Sequence, residues 1–129
     1  MKSLEDTLKE TGLPYEKHGD WALGLMPFKE TNRSHAYNIH LAGVDNGGYR
    51  HHRIRCCIGP VGDGSALHKA CEIAAGHKRG SICIADKSIW LQWSVPAGVS
   101  AKTLAWQLYG ATQTADDMEN FLMNGSDEE

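Results

Sequence analysis

The chain has 129 residues and a mass of 14.2 kDa, which is material for one domain and leaves no room for a second independent core. With 41% hydrophobic and 22% charged residues it can bury an ordinary core without a disulfide staple, which excludes the compositionally disordered class. A formal charge of −3 and an isoelectric point near 6.1 exclude a protein that coats nucleic acid through a uniformly basic surface, while leaving room for a local basic patch.

Ser3 is placed to cap a first helix carrying Leu4 and Leu8 on one side and Glu5 and Asp6 in its first turn, with Gly12 and Pro14 as its stop. From Trp21 to Met26 the pattern alternates, with Trp21, Leu23 and Leu25 on one face and Ala22, Gly24 and Met26 on the other, which predicts a strand. Pro27 to Ser34 then reads as a polar connection without chemistry.

Asp45-Asn46-Gly47-Gly48 is a hairpin signal, because Asn-Gly tolerates the positive φ angles of a tight turn. With Asn46 and Gly47 as the loop, Ile39 faces Ile54, Tyr37 faces Cys56 and Leu41 faces His52 on an apolar side. Asn38 then faces Arg55, and His40 faces Arg53, on a polar side. Gly59 to Gly64 breaks the sheet pattern and delivers Asp63 or Ser65 as the cap of a second helix, Ser65–Ala75. Leu67, Ala70, Cys71 and Ala74 form its stripe, and Ala66, Ile73 and Ala75 widen it so that both sides could be buried. Gly76 is its expected stop, followed by His77, Lys78 and Arg79.

Ser81–Ala85 and Ser88–Val95 predict a second hairpin around Asp86-Lys87, pairing Ile84 with Ile89, Ile82 with Leu91 and Cys83 with Trp90. Ser100 caps the last helix, whose stripe Leu104, Leu108, Ala111, Ala115, Met118 and Leu122 favours one long rod. Gly110 is a candidate bend, and Asn124-Gly125 is the stop. Asp116, Asp117 and Glu119 read as its solvated outer side. The expected fold is therefore α+β, a five-stranded antiparallel sheet with flanking helices in the order α-β-β-β-α-β-β-α. It forms a single domain over residues 1–125 with an acidic tail at 126–129.

Cys56, Cys57, Cys71 and Cys83 have no zinc-type spacing and read as buried thiols. Lys2 to Asp6 opens no apolar leader, and no stretch approaches a membrane span, so a cytoplasmic location without membrane contact is expected.

The element order resembles the secretion-chaperone fold shared by type III secretion chaperones and the YbjN-type family. The matching points are the helix from Ser3, the strands around Trp21–Met26, Ala36–Leu41 and Tyr49–Ile58, the helix Ser65–Ala75, the hairpin Ser81–Val95, and the final helix ending in Met118-Glu119-Asn120-Phe121-Leu122. The resemblance implies a small homodimer without enzymatic activity, with chaperone members binding extended partner segments along sheet and helix surfaces.

Tyr49 to Cys57 concentrates imidazoles, thiols and guanidinium groups. His52 and Cys56 share a face but stand four residues apart, roughly 13 Å along a strand, too far for one metal ion. No metal, cofactor or catalytic residue is expected. His40, His51, Arg53 and Arg55 share the polar face and form a candidate anion-binding or nucleic-acid-binding surface, the alternative to protein binding. Leu67, Ala70, Cys71 and Ala74 of the small-residue helix, with Trp90 and Trp106 off the main apolar rows, form the candidate partner or dimer surface. The expected function is a protein-binding, chaperone-like homodimer.

Overall fold

The computed structural model describes residues 3–28, 30, 33–46, 49–75 and 80–124. Three helices, α1 (Leu4–Glu10), α2 (Ser65–Ala75) and α3 (Ala101–Asn124), pack with one antiparallel sheet. Its strands are β1 (Tyr15–His18), β2 (Trp21–Phe28), β3 (Arg33–His40), β4 (Val44–Asn46), β5 (Tyr49–Pro60), β6 (Ser81–Ala85) and β7 (Ser88–Pro96). Six of them run in the order β1-β2-β3-β5-β7-β6, and the short β4 pairs with β5 off this path. The α+β class is as expected, but the five-stranded order α-β-β-β-α-β-β-α is corrected to α-β-β-β-β-β-α-β-β-α. Among the described residues no helix is long and apolar enough to cross a membrane.

The added edge strand β1 is four largely exposed residues, too short and polar to show an alternation. It forms because Gly19, at φ +61°, turns the chain back so that His18 pairs with Trp21. The expected connection from Pro27 to Ser34 is also corrected. Pro27 and Phe28 extend β2, and Arg33 and Ser34 begin β3 opposite them. Pro27 is tolerated because β1 pairs with β2 only as far as Gly24, leaving that side of the strand without a ladder bond to lose.

The distal register expected from the Asn-Gly signal is present as Asn38 opposite Arg55 and Ile39 opposite Ile54. The pairing nearer the turn is different, with Val44 opposite His51 and Asn46 opposite Tyr49, so Asn46 is a paired strand residue. Two extra residues are absorbed where the chain leaves β3 after His40, with Gly43 at φ +81° and its N–H donated to His40 Nδ1 at 3.2 Å. Residues 47 and 48, the Gly76 stop with His77 to Arg79, and the Gly125 stop with the tail lie outside the described residues.

The second hairpin has the expected pairs Ile84–Ile89, Ile82–Leu91 and Cys83–Trp90. The helices cover one face of the sheet. Ala22, Met26, Phe28, Tyr37, Ile39, Ile54, Cys56, Ile58, Ile89, Leu91 and Val95 are buried from the strands, and Leu4, Leu8, Ala70, Leu104, Leu108, Ala111, Ala115 and Met118 from the helices. Ser3 caps α1 by accepting from the Asp6 N–H at 3.1 Å, and Ser100 caps α3 by accepting from the Thr103 N–H at 3.2 Å. Gly110 lies inside the single α3 rod, above the Trp93 ring, where an added Cβ would stand 3.6 Å from the indole. Trp93 donates its indole N–H to Gln107 Oε1 at 2.8 Å.

Candidate functional site

Alternation along the strands sorts most of the polar residues to one side. The inner face is apolar apart from the buried imidazoles of His35 and His52, and the outer face carries Trp21, Leu23 and Leu25 on β2, Asn38 and His40 on β3, His51, Arg53 and Arg55 on β5, and Trp90 and Gln92 on β7. One cross-strand row runs Leu23, Asn38, Arg55, Gln92, Ser81. The Arg55 guanidinium carbon stands 5.4 Å from the centre of the Trp21 ring, within cation–π range, and Trp21 meets His40 edge-on at 4.9 Å. Arg55 Nε and His51 Nδ1 are shielded from solvent without a hydrogen-bond partner among the described residues. The four residues expected on a basic face, His40, His51, Arg53 and Arg55, are thus brought to one face.

The six residues expected to form a partner surface are not brought together, which corrects that expectation. Ala70 is fully buried, and Leu67 and Ala74 are packed against the core, so α2 has spent its small residues inside the domain. Cys71 is exposed instead of buried, because α2 turns Ala66, Ala70, Ile73 and Ala74 inward and presents Cys71 and Glu72 outward. The helix is one-sided, contrary to the two-sided reading. Trp90 lies on the outer sheet face, donating its N–H to the Ala85 carbonyl at 3.0 Å. Trp106 lies on α3, in the layer on the opposite side of the sheet, and is 65% exposed.

Trp106 belongs to a different feature that sequence reading missed. An open groove of about 590 Å³ runs between the end of α1, β2 and α3, lined by Leu13, Met26, Phe28, Ala105, Trp106 and Tyr109. Phe28 and Tyr109 meet edge-on at 6.0 Å, as do Trp106 and Tyr109 at 6.3 Å. Phe121, 56% exposed, is a further aromatic on the exposed side of α3, more than three turns beyond Tyr109.

Burial, with Cys57 beside it, pushes the Cys56 thiol up to about 12, which keeps it protonated at neutral pH. His68 on α2 is exposed and its Nε2 lies 2.8 Å from Glu72 Oε1, one turn along the same helix.

A polar cluster is buried where β3 passes under α3. Asp116 Oδ1 accepts from Arg33 Nη2 at 3.0 Å and lies 3.5 Å from His35 Nδ1; Arg33 also donates to Asn120 Oδ1 at 2.8 Å. His35 Nε2 is 3.0 Å from the Cys57 carbonyl oxygen. Asp116 is only 5% exposed, which overturns its reading as part of a solvated face. Among the described residues, His35, Asp116 and Glu119 form a group that could hold a metal ion, each offering one ligand atom within 4.8 Å of the others.

Comparison with family models gives no match for this chain, and comparison with curated proteins gives none either.

Proposed function

We propose that this chain is a non-enzymatic protein-binding domain that pairs with a second copy of itself and holds a partner polypeptide, in the manner of the secretion chaperones and YbjN-type proteins it resembles. The observation that carries this reading is the aromatic groove on α3, with Trp106 65% exposed at its edge and Phe28 and Tyr109 forming its wall. Aromatic side chains flanking a concave apolar surface are the usual energetic centres of protein contacts. Trp106, Tyr109 and Phe121 recur along one side of α3, so a two-fold contact between two copies buries the same stripe on each. Light scattering across a concentration series tests the pairing. A mass rising to twice 14.2 kDa, and returned to the monomer by Trp106→Ala, is the expected result. A monomer at every concentration overturns it.

A second reading, binding of an anionic or single-stranded nucleic-acid ligand to the outer sheet face, is favoured by one observation. Arg55 is stacked on Trp21 with no partner for its Nε among the described residues, beside Arg53, His40 and His51. Its mark is affinity for a single-stranded oligonucleotide that falls with salt and drops in Arg53→Ala and Arg55→Ala. Binding insensitive to both variants removes this reading.

A further inference from the structure

The β3 strand places His35 on the buried face of the sheet, and α3 crosses above it with Asp116 and Glu119 one turn apart. His35 Nε2 lies 3.0 Å from the backbone carbonyl oxygen of Cys57. A carbonyl oxygen only accepts, so this nitrogen carries the ring proton, and in the neutral ring Nδ1 is left with its lone pair turned toward Asp116. Two electron-rich atoms then face one another, Nδ1 and Asp116 Oδ1, at 3.5 Å. That separation is long for a charge-assisted N–H···O⁻ bond, which falls near 2.8 Å. It is close to the edge of a tetrahedron built on metal bonds of about 2.05 Å, which is roughly 3.3 Å.

The charges and the surroundings agree with a cation between them. Asp116 and Glu119 carry two negative charges against the one guanidinium of Arg33, leaving the cluster net negative around two residues, His35 and Asp116, that are 7% and 5% exposed. Arg33 and the Asn120 amide, 3.5 Å from Asp116 Oδ2, hold the carboxylate in place. The Cys57 carbonyl fixes the imidazole tautomer in the way that outer partners orient a ligating histidine.

We propose that His35 Nδ1, Asp116 and Glu119 bind a divalent transition-metal ion of the zinc class, which ties β3 to α3 and takes water at its remaining position. The imidazole and carboxylate donors suit zinc or cobalt and disfavour calcium and magnesium, which prefer oxygen alone. This site is independent of the protein-binding reading, since none of its three ligands lines the groove at Trp106.

The test uses the full chain after dialysis against a chelator. Calorimetric titration with Zn²⁺ is expected to give one equivalent bound, with a rise in Tm. Co²⁺ is expected to give ligand-field bands without the thiolate charge-transfer band that binding at the cysteines would produce. His35→Gln and Glu119→Gln are each expected to weaken binding about tenfold or more, while Asp117→Asn, an exposed carboxylate on the same helix, leaves it unchanged. Because His35→Gln disturbs a buried hydrogen bond, the partly exposed Glu119 supplies the variant that keeps its fold. The proposal is overturned by absence of heat and Tm change at about a hundredfold excess of Zn²⁺. It is equally overturned by binding that Glu119→Gln leaves unaltered, or by a cobalt spectrum dominated by thiolate.

Discussion

Gly24 on β2 and Tyr37 on β3 are cross-strand partners, and the tyrosine ring occupies the space a side chain at position 24 would need. A Cβ added to Gly24 would stand 2.5 Å from both Cζ and Oη of Tyr37 and 2.8 Å from the Pro14 carbonyl oxygen. Tyr37 is fully buried, its Oη has no hydrogen-bond partner among the described residues, and burial pushes its phenol up to about 12. Gly24→Ala is expected to destabilise the domain by about 1–3 kcal/mol through overpacking against rigid neighbours. Tyr37→Phe removes a hydroxyl that gains nothing from its site, so it is expected to change stability by less than about 1 kcal/mol in either direction. Urea unfolding of the two variants measures both, and the reverse ranking would contradict the packing described.

The parts of the fold legible in the sequence are those whose partners lie close in the chain or whose pattern repeats. Ile82, Ile84, Ile89 and Leu91 flank a two-residue loop, so their pairing follows from counting outward from Asp86-Lys87. Leu104 to Leu122 repeats often enough to define one helix face. The basic face at His40, His51, Arg53 and Arg55 was legible for the same reason, since alternation alone separates it from Ile39, Ile54 and Cys56. The strand β1 was not, because four polar residues carry no period. Asp116 was not either, because the partners that draw it inward, Arg33 and His35, are more than eighty residues away. The available sign was Thr112, fully buried four residues earlier, which with Asp116 widens the buried side of α3 beyond its apolar stripe.

The Asp86-Lys87 turn places two non-glycine residues at positive φ, 53° and 62°. Left-handed backbone costs a residue with a Cβ about 1 kcal/mol or more, and lysine has no side-chain amide to soften it. Its conformation is held by the flanking pairs and by the Val61 N–H, which donates to the Lys87 carbonyl at 3.0 Å. Lys87→Gly removes the steric cost and keeps that carbonyl, at the expense of a more flexible unfolded chain. A net gain of about 0.5–1 kcal/mol in urea unfolding is expected, and a loss of that size would show that the lysine side chain supports the turn.

The four thiols are predicted to separate by reactivity. Cys71 is exposed on the outer side of α2, whereas Cys56 is fully buried on the inner sheet face with its thiol held near 12. Brief alkylation of the native chain at neutral pH, followed by peptide mass analysis, is expected to label Cys71 and to spare Cys56 until denaturant is added. Labelling of Cys56 at the rate of Cys71 would place β5 at the surface and contradict the core.

His52 gives the domain a pH dependence that can be assigned to one side chain. It is 6% exposed on the buried face of β5, with Nδ1 3.2 Å from the His40 carbonyl oxygen, so Nδ1 donates in the neutral ring. Burial is the largest influence and lowers its pKa from 6.5, opposed by the bond to His40 and assisted by the nearby Arg50 charge. A lowered value means that the unfolded chain binds the proton more readily than the folded one. The stabilisation is therefore complete above 6.5 and declines as the pH falls from there through the folded value. Glu5, held below its ordinary 4.5 first by its hydrogen bond from Lys17, and Asp63, held below 3.8 by the Ser65 N–H, lose their contributions only in more acid solution. The two windows are separable. His52→Asn keeps a donor near the Nδ1 position without a titrating ring, and is expected to flatten the fall in Tm between about pH 7 and pH 5 while leaving the steeper loss below it. Parallel Tm profiles for the wild-type chain and His52→Asn across that window would remove His52 as the cause.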